Sequence, residues 1–299
     1  MHSTATASQA AAPVTRRNGE GEFPYSKDDF NRIAALLRDK TGIDLAESKS
    51  PLVYSRLTKR LRKLNIGSFL DYYKFVASEA GAQERTEMFA ALTTNVTRFF
   101  REPHHFEHLR NVALPPLLQA AKSGARVRIW SAACSSGEEP YSIAMEVLSQ
   151  MPDAANYDIK ILATDINSDM TARGRKGEYP ASEVNDIPAE MRRRWLQQDG
   201  ATSSGIVKAA PELTSLISFR ELNLIERWPV KGPFQIIFCR NVVIYFNEQT
   251  KSEVWRRLVE LMSGGGFIYS GHSERISGPA AGHLKMQGVT IYQKQGGIL

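Results

Sequence analysis

The stretch RIWSAACSSGEEPYSIAM, residues 128–145, decides how the rest of the chain reads. A strand-like run ending at Trp130 gives way to small residues and one glycine, then to Glu138, Glu139 and Pro140, and only then to a helical pattern. Strand, loop and helix in that order outline a ligand loop of an open α/β sheet, where ligands sit beyond the carboxyl ends of the strands. The loop is not GxGxxG, and its two glutamates open a helix whose N-terminus already favours anions. Added carboxylates repel a pyrophosphate and favour an ammonium or sulfonium group. Asp165, closing IKILATD, stands where an acid accepts hydrogen bonds from ribose hydroxyls, about 30 residues on, as in a βαβ unit. Such a loop fits S-adenosylmethionine, a cationic nucleoside without phosphate. The plainer alternative is a helix start stabilised by two solvated glutamates.

Working outward, short apolar runs alternate with helical stretches from Val127 onward, which predicts a mostly parallel sheet with crossover helices. The candidate strands are VRIW, IKILATD, LISFREL, FQIIFCR, GFIYSGH and VTIYQK. The last two lack a helix-length crossover and are expected to pair antiparallel at the sheet's end. Residues 180–218 are too long for a bare loop and predict a small inserted subdomain. Upstream, SKDDFNRIAALLRDKTG carries a Ser26 cap, an apolar face of Phe30, Ile33, Leu36 and Leu37, and a stop at Gly42. Three further helices are expected over SPLVYSRLTKRLRKL, SFLDYYKFVAS and AQERTEMFAALTT. The expected division is a disordered tail (1–22), a helical domain (23–92), a linker and helix (93–126) and an α/β domain (127–299).

The 299 residues, 42% apolar, suffice for two cores, and a formal charge of +6 permits an acidic partner without choosing one. Cys134 and Cys239 suggest no disulfide framework, and a reducing, cytoplasmic setting is expected. No apolar run approaches the about 20 residues of a membrane helix, and Arg16-Arg17 precede NGEGEF rather than an apolar signal core. Neither membrane insertion nor export is therefore expected. His104, His105 and His108 lie close in sequence without a persuasive metal pattern, and His272 is expected to be a hydrogen-bonded structural residue.

Taken together, TTNVTRFFREPHHF, WSAACSSGEEPYSIAM, ATDINSDM, FRELNL, FCRNVVIYF and GGGFIYSGHSE resemble, in the same order, the CheR family of chemotaxis receptor methyltransferases. The likeness runs from about Tyr25 to Lys294, and with so few residues after it no fused repeat domain is expected. It implies a Rossmann-like class I methyltransferase sheet with an N-terminal all-α domain, using S-adenosylmethionine and releasing S-adenosylhomocysteine. The reaction it implies is esterification of glutamate side chains on chemoreceptors. The resemblance also implies that Asn95, Thr97 and Arg101 meet the methionine moiety or reacting region, that Glu139 with Glu138 binds polar groups, and that Asp165 binds the ribose. Asn223 and Leu224 are expected at the adenine, Arg240 and Asn241 complete the pocket, and Arg101 and Tyr245 stand nearest the transferred methyl. Read without the resemblance, Arg101 and Glu102 make a surface ion pair, Asn223 a turn and Tyr245 a core aromatic.

A glutamate carboxylate is already ionised at neutral pH, so it needs alignment rather than a general base, and no Ser-His-Asp set or metal is required. The helix SRLTKRLRKL carries Arg56, Lys59, Arg60, Arg62 and Lys63. With Leu57, Leu61 and Leu64 as the buried stripe, most of these basic groups face away and form either a solvated surface or a dock for acidic receptor helices. The inserted subdomain matches the place where some family members bind a receptor's C-terminal peptide by strand addition. Recruitment to membrane receptor arrays is then the expected location. A nucleic-acid methyltransferase fits less well, since CRNVVIYF replaces the Asn/Asp-Pro-Pro-aromatic motif and no base-stacking surface is evident. The remaining rival is a non-catalytic cofactor-sensing or receptor-docking module.

Overall fold

The computed structural model describes residues 22–93, 95–198 and 205–296. Of the predicted disordered tail, residues 1–21 lie outside the described residues. The chain forms two compact units, one of residues up to Ile33 with Ala46–Ala91, the other of Ala34–Leu45 with the chain from Leu92 onward. The division runs through the first helix, α1 (Lys27–Thr41), so residues 34–45 leave the N-terminal block expected over 23–92.

In the first unit, Ser26 and Asp29 cap α1 reciprocally: Asp29 N donates to Ser26 Oγ at 3.2 Å and Ser26 N to Asp29 Oδ2 at 3.0 Å. Next come α2 (Ser50–Leu64), α3 (Phe69–Ala77), capped by the Ser68 hydroxyl, and α4 (Ala82–Leu92). Their apolar faces bury Phe30, Val53, Leu57, Leu61, Phe69 and Val76.

The second unit opens with α5 (Pro103–His108) and α6 (Leu114–Lys122), joined by one π-helical stretch. The elements β1 (Val127–Ala132), α7 (Glu138–Gln150), β2 (Ile159–Asp165) and α8 (Ser168–Lys176) form the first crossover units. A three-stranded antiparallel sheet of β3 (Glu178–Pro180), β4 (Leu196–Gln198) and β5 (Ile206–Ala209) follows, with α9 (Ala189–Trp195) between β3 and β4. Tyr179, Trp195 and Val207 join the same core as Ile129, so this small sheet is anchored on the large one. The chain returns through α10 (Pro211–Leu216) to β6 (Ile217–Glu221), then β7 (Phe234–Cys239), α11 (Glu248–Glu260), β8 (Met262–Ser270), β9 (Leu284–Gly288) and β10 (Ile291–Lys294).

The main sheet has the order β6-β2-β1-β7-β8-β10-β9, with β6, β2, β1, β7 and β8 parallel. Of these, β1, β7 and β8 are covered on both faces, which is why FQIIFC is apolar but for Gln235 rather than alternating, while β6 exposes Arg220 and Glu221. β8 and β10 pair antiparallel as expected, but β9, unread in the sequence because LKMQG exposes Lys285, Met286 and Gln287, adds the outer edge. Strand order reverses at β1, so the loops after β1, β2, β6, β7 and β8 all open at one end of the sheet. Among the described residues no helix is long and apolar enough to cross a membrane.

Candidate functional site

The loop after β1 is built from left-handed backbone: Ala133, Ser135 and Gly137 have φ of 70°, 48° and 101°. At Gly137 any side chain would also strike the Tyr179 hydroxyl, 2.8 Å from an ideal Cβ. This winding turns the Ser135 N–H onto Asp165 Oδ2 at 2.8 Å, while Asn167 N–H reaches Oδ1 at 2.9 Å. Burial pushes the Asp165 carboxyl above its usual range, against the pull of main-chain N–H groups of Asn167, Ser135 and Ile166. The carboxylate retains acceptor capacity of the kind a ribose hydroxyl needs. Cys134 N donates to Thr164 O (2.8 Å) and Gly137 N to Cys134 O (3.1 Å). Three N–H groups of this loop are thus consumed internally, the opposite of a phosphate cradle.

The two glutamates that open α7 part company. Glu139 accepts from Ser131 Oγ at 2.7 Å and from Arg240 Nη1 at 2.8 Å. Glu138 is buried and turned away, accepting from Ser136 Oγ at 2.8 Å, with Arg173 and Glu183 as its charged neighbours. Burial raises both carboxyls above their usual range. Arg240, itself buried, is the hub: it pairs with Glu139, lies 3.4 Å from Glu102 Oε2 and donates to the Arg101 carbonyl. Arg101 Nη1 in turn donates to Val96 O at 3.0 Å, closing the 95–101 loop on itself, and Asn95 O accepts from Ser135 Oγ at 3.0 Å.

These bonds bring Asn95, Arg101, Glu139, Asp165, Arg240 and Asn241 together. Asn241, left-handed at φ 57°, points its amide toward Glu102 Oε1 at 3.5 Å. Thr97 lies half-buried in the same loop as Arg101, and Tyr245 is half-buried in a helical turn after β7, its carbonyl accepting from Asp44 N at 2.7 Å. Asn223 and buried Leu224 form a separate group after β6. Asn223 Nδ2 donates to Lys40 O at 2.7 Å, and the Leu224 carbonyl accepts from Trp228 and Arg257.

Comparison with known proteins identifies this arrangement. The family model described as "CheR methyltransferase, SAM binding domain" matches residues 95–292, and "CheR methyltransferase, all-alpha domain" matches residues 28–93. The chain belongs to the CheR methyltransferase family. It is 50% identical to the probable chemotaxis protein methyltransferase of Rhizobium etli, over 86% of this chain and 96% of that protein. Chemotaxis protein methyltransferase 2 of Pseudomonas aeruginosa is 40% identical over 92% of this chain and 95% of its own length. The Escherichia coli chemotaxis protein methyltransferase is 37% identical over 88% and 89%. The chain is thus an S-adenosylmethionine-dependent methyltransferase of chemotaxis.

For this CheR chain the residues present fit that cofactor. The carboxylates of Glu102, Glu139 and Asp165 outnumber the two guanidiniums, Arg240 and Arg101, and the β1 loop spends its N–H groups internally. A cation without phosphate suits both features.

Several sequence readings are corrected. Glu102 does not pair with Arg101; its left-handed backbone (φ 61°) carries the carboxylate to Arg240, His105 and His272. Arg60 is not part of an open basic face. It makes a two-pronged pair with Glu84 (2.9 and 2.6 Å) and a bridge to Glu87 (2.8 Å), while the Tyr72 hydroxyl donates to the same Glu84. Arg56 donates to Ala91 O and Arg62 pairs with Glu22, so the exposed lysines of α2 are Lys59 and Lys63. His272 is exposed and hydrogen-bonded as expected: its N–H donates to Glu102 Oε1 at 3.3 Å and its Nδ1 lies 3.4 Å from the same oxygen. His105 and His108 meet Thr290 and Tyr269 at 2.9 Å each. Glu102, His104 and His105 bring ligand-type atoms within 4.8 Å of one another, but the Arg240 guanidinium beside Glu102 opposes a metal cation there. Sequence reading missed Glu102 and Glu274 as organisers. The signal for Glu274 was weak, an acid four residues beyond a strand, whereas Asp165 closes its strand.

Proposed function

We propose that this chain esterifies glutamate side chains of chemoreceptors, with Arg101 orienting the incoming carboxylate and Tyr245 shaping the channel along which the methyl moves. The Arg240 hub carries this reading, because one buried guanidinium ties the Arg101 loop to Glu139 and Glu102 and so holds a half-buried cationic side chain beside an acidic site. When bound, S-adenosylmethionine supplies an electrophilic methyl on sulfur. Asp165 holds the ribose end, Glu139 with Asn95 and Thr97 the methionine end, and Asn223, Leu224 and Asn241 frame the base and complete the pocket. Glu138, engaged with Ser136, supports the loop from behind. The acceptor glutamate arrives ionised, so alignment and exclusion of water are what the protein contributes.

The exposed Lys59 and Lys63, with Arg62, dock the acidic receptor helices and bring the enzyme to receptor arrays, while Arg56 and Arg60 hold the helical unit together. A receptor C-terminal peptide would add as a strand to β3 or β4, the edges of the small sheet. The test is transfer of radiolabelled methyl groups from S-adenosylmethionine to a receptor cytoplasmic fragment. Base-labile label on glutamate, reduced about 100-fold in kcat by Arg101→Ala, is expected. Label on another residue, or unchanged kcat in the variant at saturating substrates, would refute the assignment.

A further inference from the structure

Glu274 lies in the turn after β8, and its carboxylate is collared by main-chain N–H groups from the segment after β7. Oε2 accepts from Asn241 N and Gly271 N at 2.7 Å each, and Oε1 from Ile244 N at 3.2 Å. The side chain is buried, its own N–H closes the turn onto Gly271 O at 2.8 Å, and the Ser270 hydroxyl fixes its carbonyl at 2.8 Å. The two segments approach so closely that a Cβ on Gly271 would fall 2.5 Å from Asn241 Nδ2 and 2.8 Å from Glu274 Oε2. The carboxylate grips main-chain N–H groups rather than a side chain. The segment it grips nevertheless starts at left-handed Asn241, next to the Arg240 hub, and ends at Tyr245.

We propose that Glu274 is a positioning residue, whose carboxylate sets the backbone of residues 241–244 and so aims Tyr245 at the reacting centre. The inference rests on the role proposed above for Tyr245. A neutral amide of the same shape can accept at only one of its two positions and presents N–H to N–H at the other, so the Asn241–Ile244 backbone relaxes while the strands beneath it stay intact.

The test is a double-mutant cycle in the full chain with Glu274→Gln, Tyr245→Ala and the pair, measuring kcat at saturating cofactor and receptor, KM for receptor, S-adenosylhomocysteine affinity and melting temperature. Glu274→Gln is expected to lower kcat at least tenfold with receptor KM changed less than threefold. In the Tyr245→Ala background the same change is expected to cost less than twofold. A kcat within twofold of wild type for folded Glu274→Gln, or the same fold loss in both backgrounds, overturns the proposal while leaving the role of Tyr245 standing. Normal turnover by Tyr245→Ala alone overturns that role and the inference with it. If Glu274→Gln does not fold, Glu274→Asp, which keeps the charge and withdraws it by one methylene, is read through the same cycle against the same limits.

Discussion

Arg240 concentrates the chemistry of the site in one side chain. A lysine there could not reach Glu139, Glu102 and the Arg101 carbonyl together, because a single ammonium lacks the planar fork. Arg240→Lys is therefore expected to lower kcat/KM by about tenfold to 100-fold. Arg240→Ala leaves two carboxylates without their partner and should cost about 3–5 kcal/mol of stability, read by calorimetry or denaturant titration. The same guanidinium shapes its neighbours. Burial first, then Arg240, pushes the His105 imidazole down to about 3, so it stays neutral at any pH at which the protein works. For Glu102, burial pushes the carboxyl up, but Arg240, the His272 N–H and His105 more than offset it, leaving it below the usual range. At this scale Asp165 and Glu139 were legible, because position after a strand or at a helix start restricts what an acid there can do. Glu102 and Glu274 were not, since their partners come from loops more than 100 and about 30 residues away.

Among the elements, α2 separates docking from stability. The sequence fixes its bounds by period, yet the stripe drawn through Leu57, Leu61 and Leu64 omitted Val53, and at 100° per residue Arg60 lies about 20° from Val53 and about 40° from Leu64. Arg60 therefore sits on the inner flank, where Glu84 from α4 meets it, and partner choice between helices is not written in either helix's period. Arg60→Ala should destabilise the protein by about 3 kcal/mol through the uncompensated, buried Glu84. Reversal of Lys59 and Lys63 to glutamate should leave the melting temperature nearly unchanged, raise receptor KM and weaken its salt dependence. Equal KM at low salt would remove α2 as the dock. On α7, buried Glu146 faces Arg110 at 3.9 Å, and burial pushes its carboxyl up to about 7 from 4.5. A folded value above the unfolded one means stability is greatest below about 4.5 and declines as pH rises through about 7. Glu146→Gln should thus match wild type at pH 4.5 and exceed it by roughly 3 kcal/mol at pH 8, checked by thermal unfolding across that range.

At the scale of the molecule, topology does what no single residue could. Reversal of strand order at β1 gathers the loops after five parallel strands at one end of the sheet, and those loops carry Asp165, Asn223, Arg240 and Glu274, residues far apart in sequence. The central parallel strands were readable because burial on both faces makes them nearly continuously apolar. β9 was not, since an edge strand with one wet face looks like a loop. The central claim is that this gathered end holds a phosphate-free cationic nucleoside through Asp165. Calorimetric titration of the wild-type chain and of Asp165→Ala with S-adenosylmethionine and with S-adenosylhomocysteine tests it most directly. Binding by the wild type, weakened at least about 30-fold in a variant that still folds, is the result expected from losing the hydrogen bonds of a charged acceptor. Undiminished affinity in Asp165→Ala, or no binding by the wild type, would contradict it.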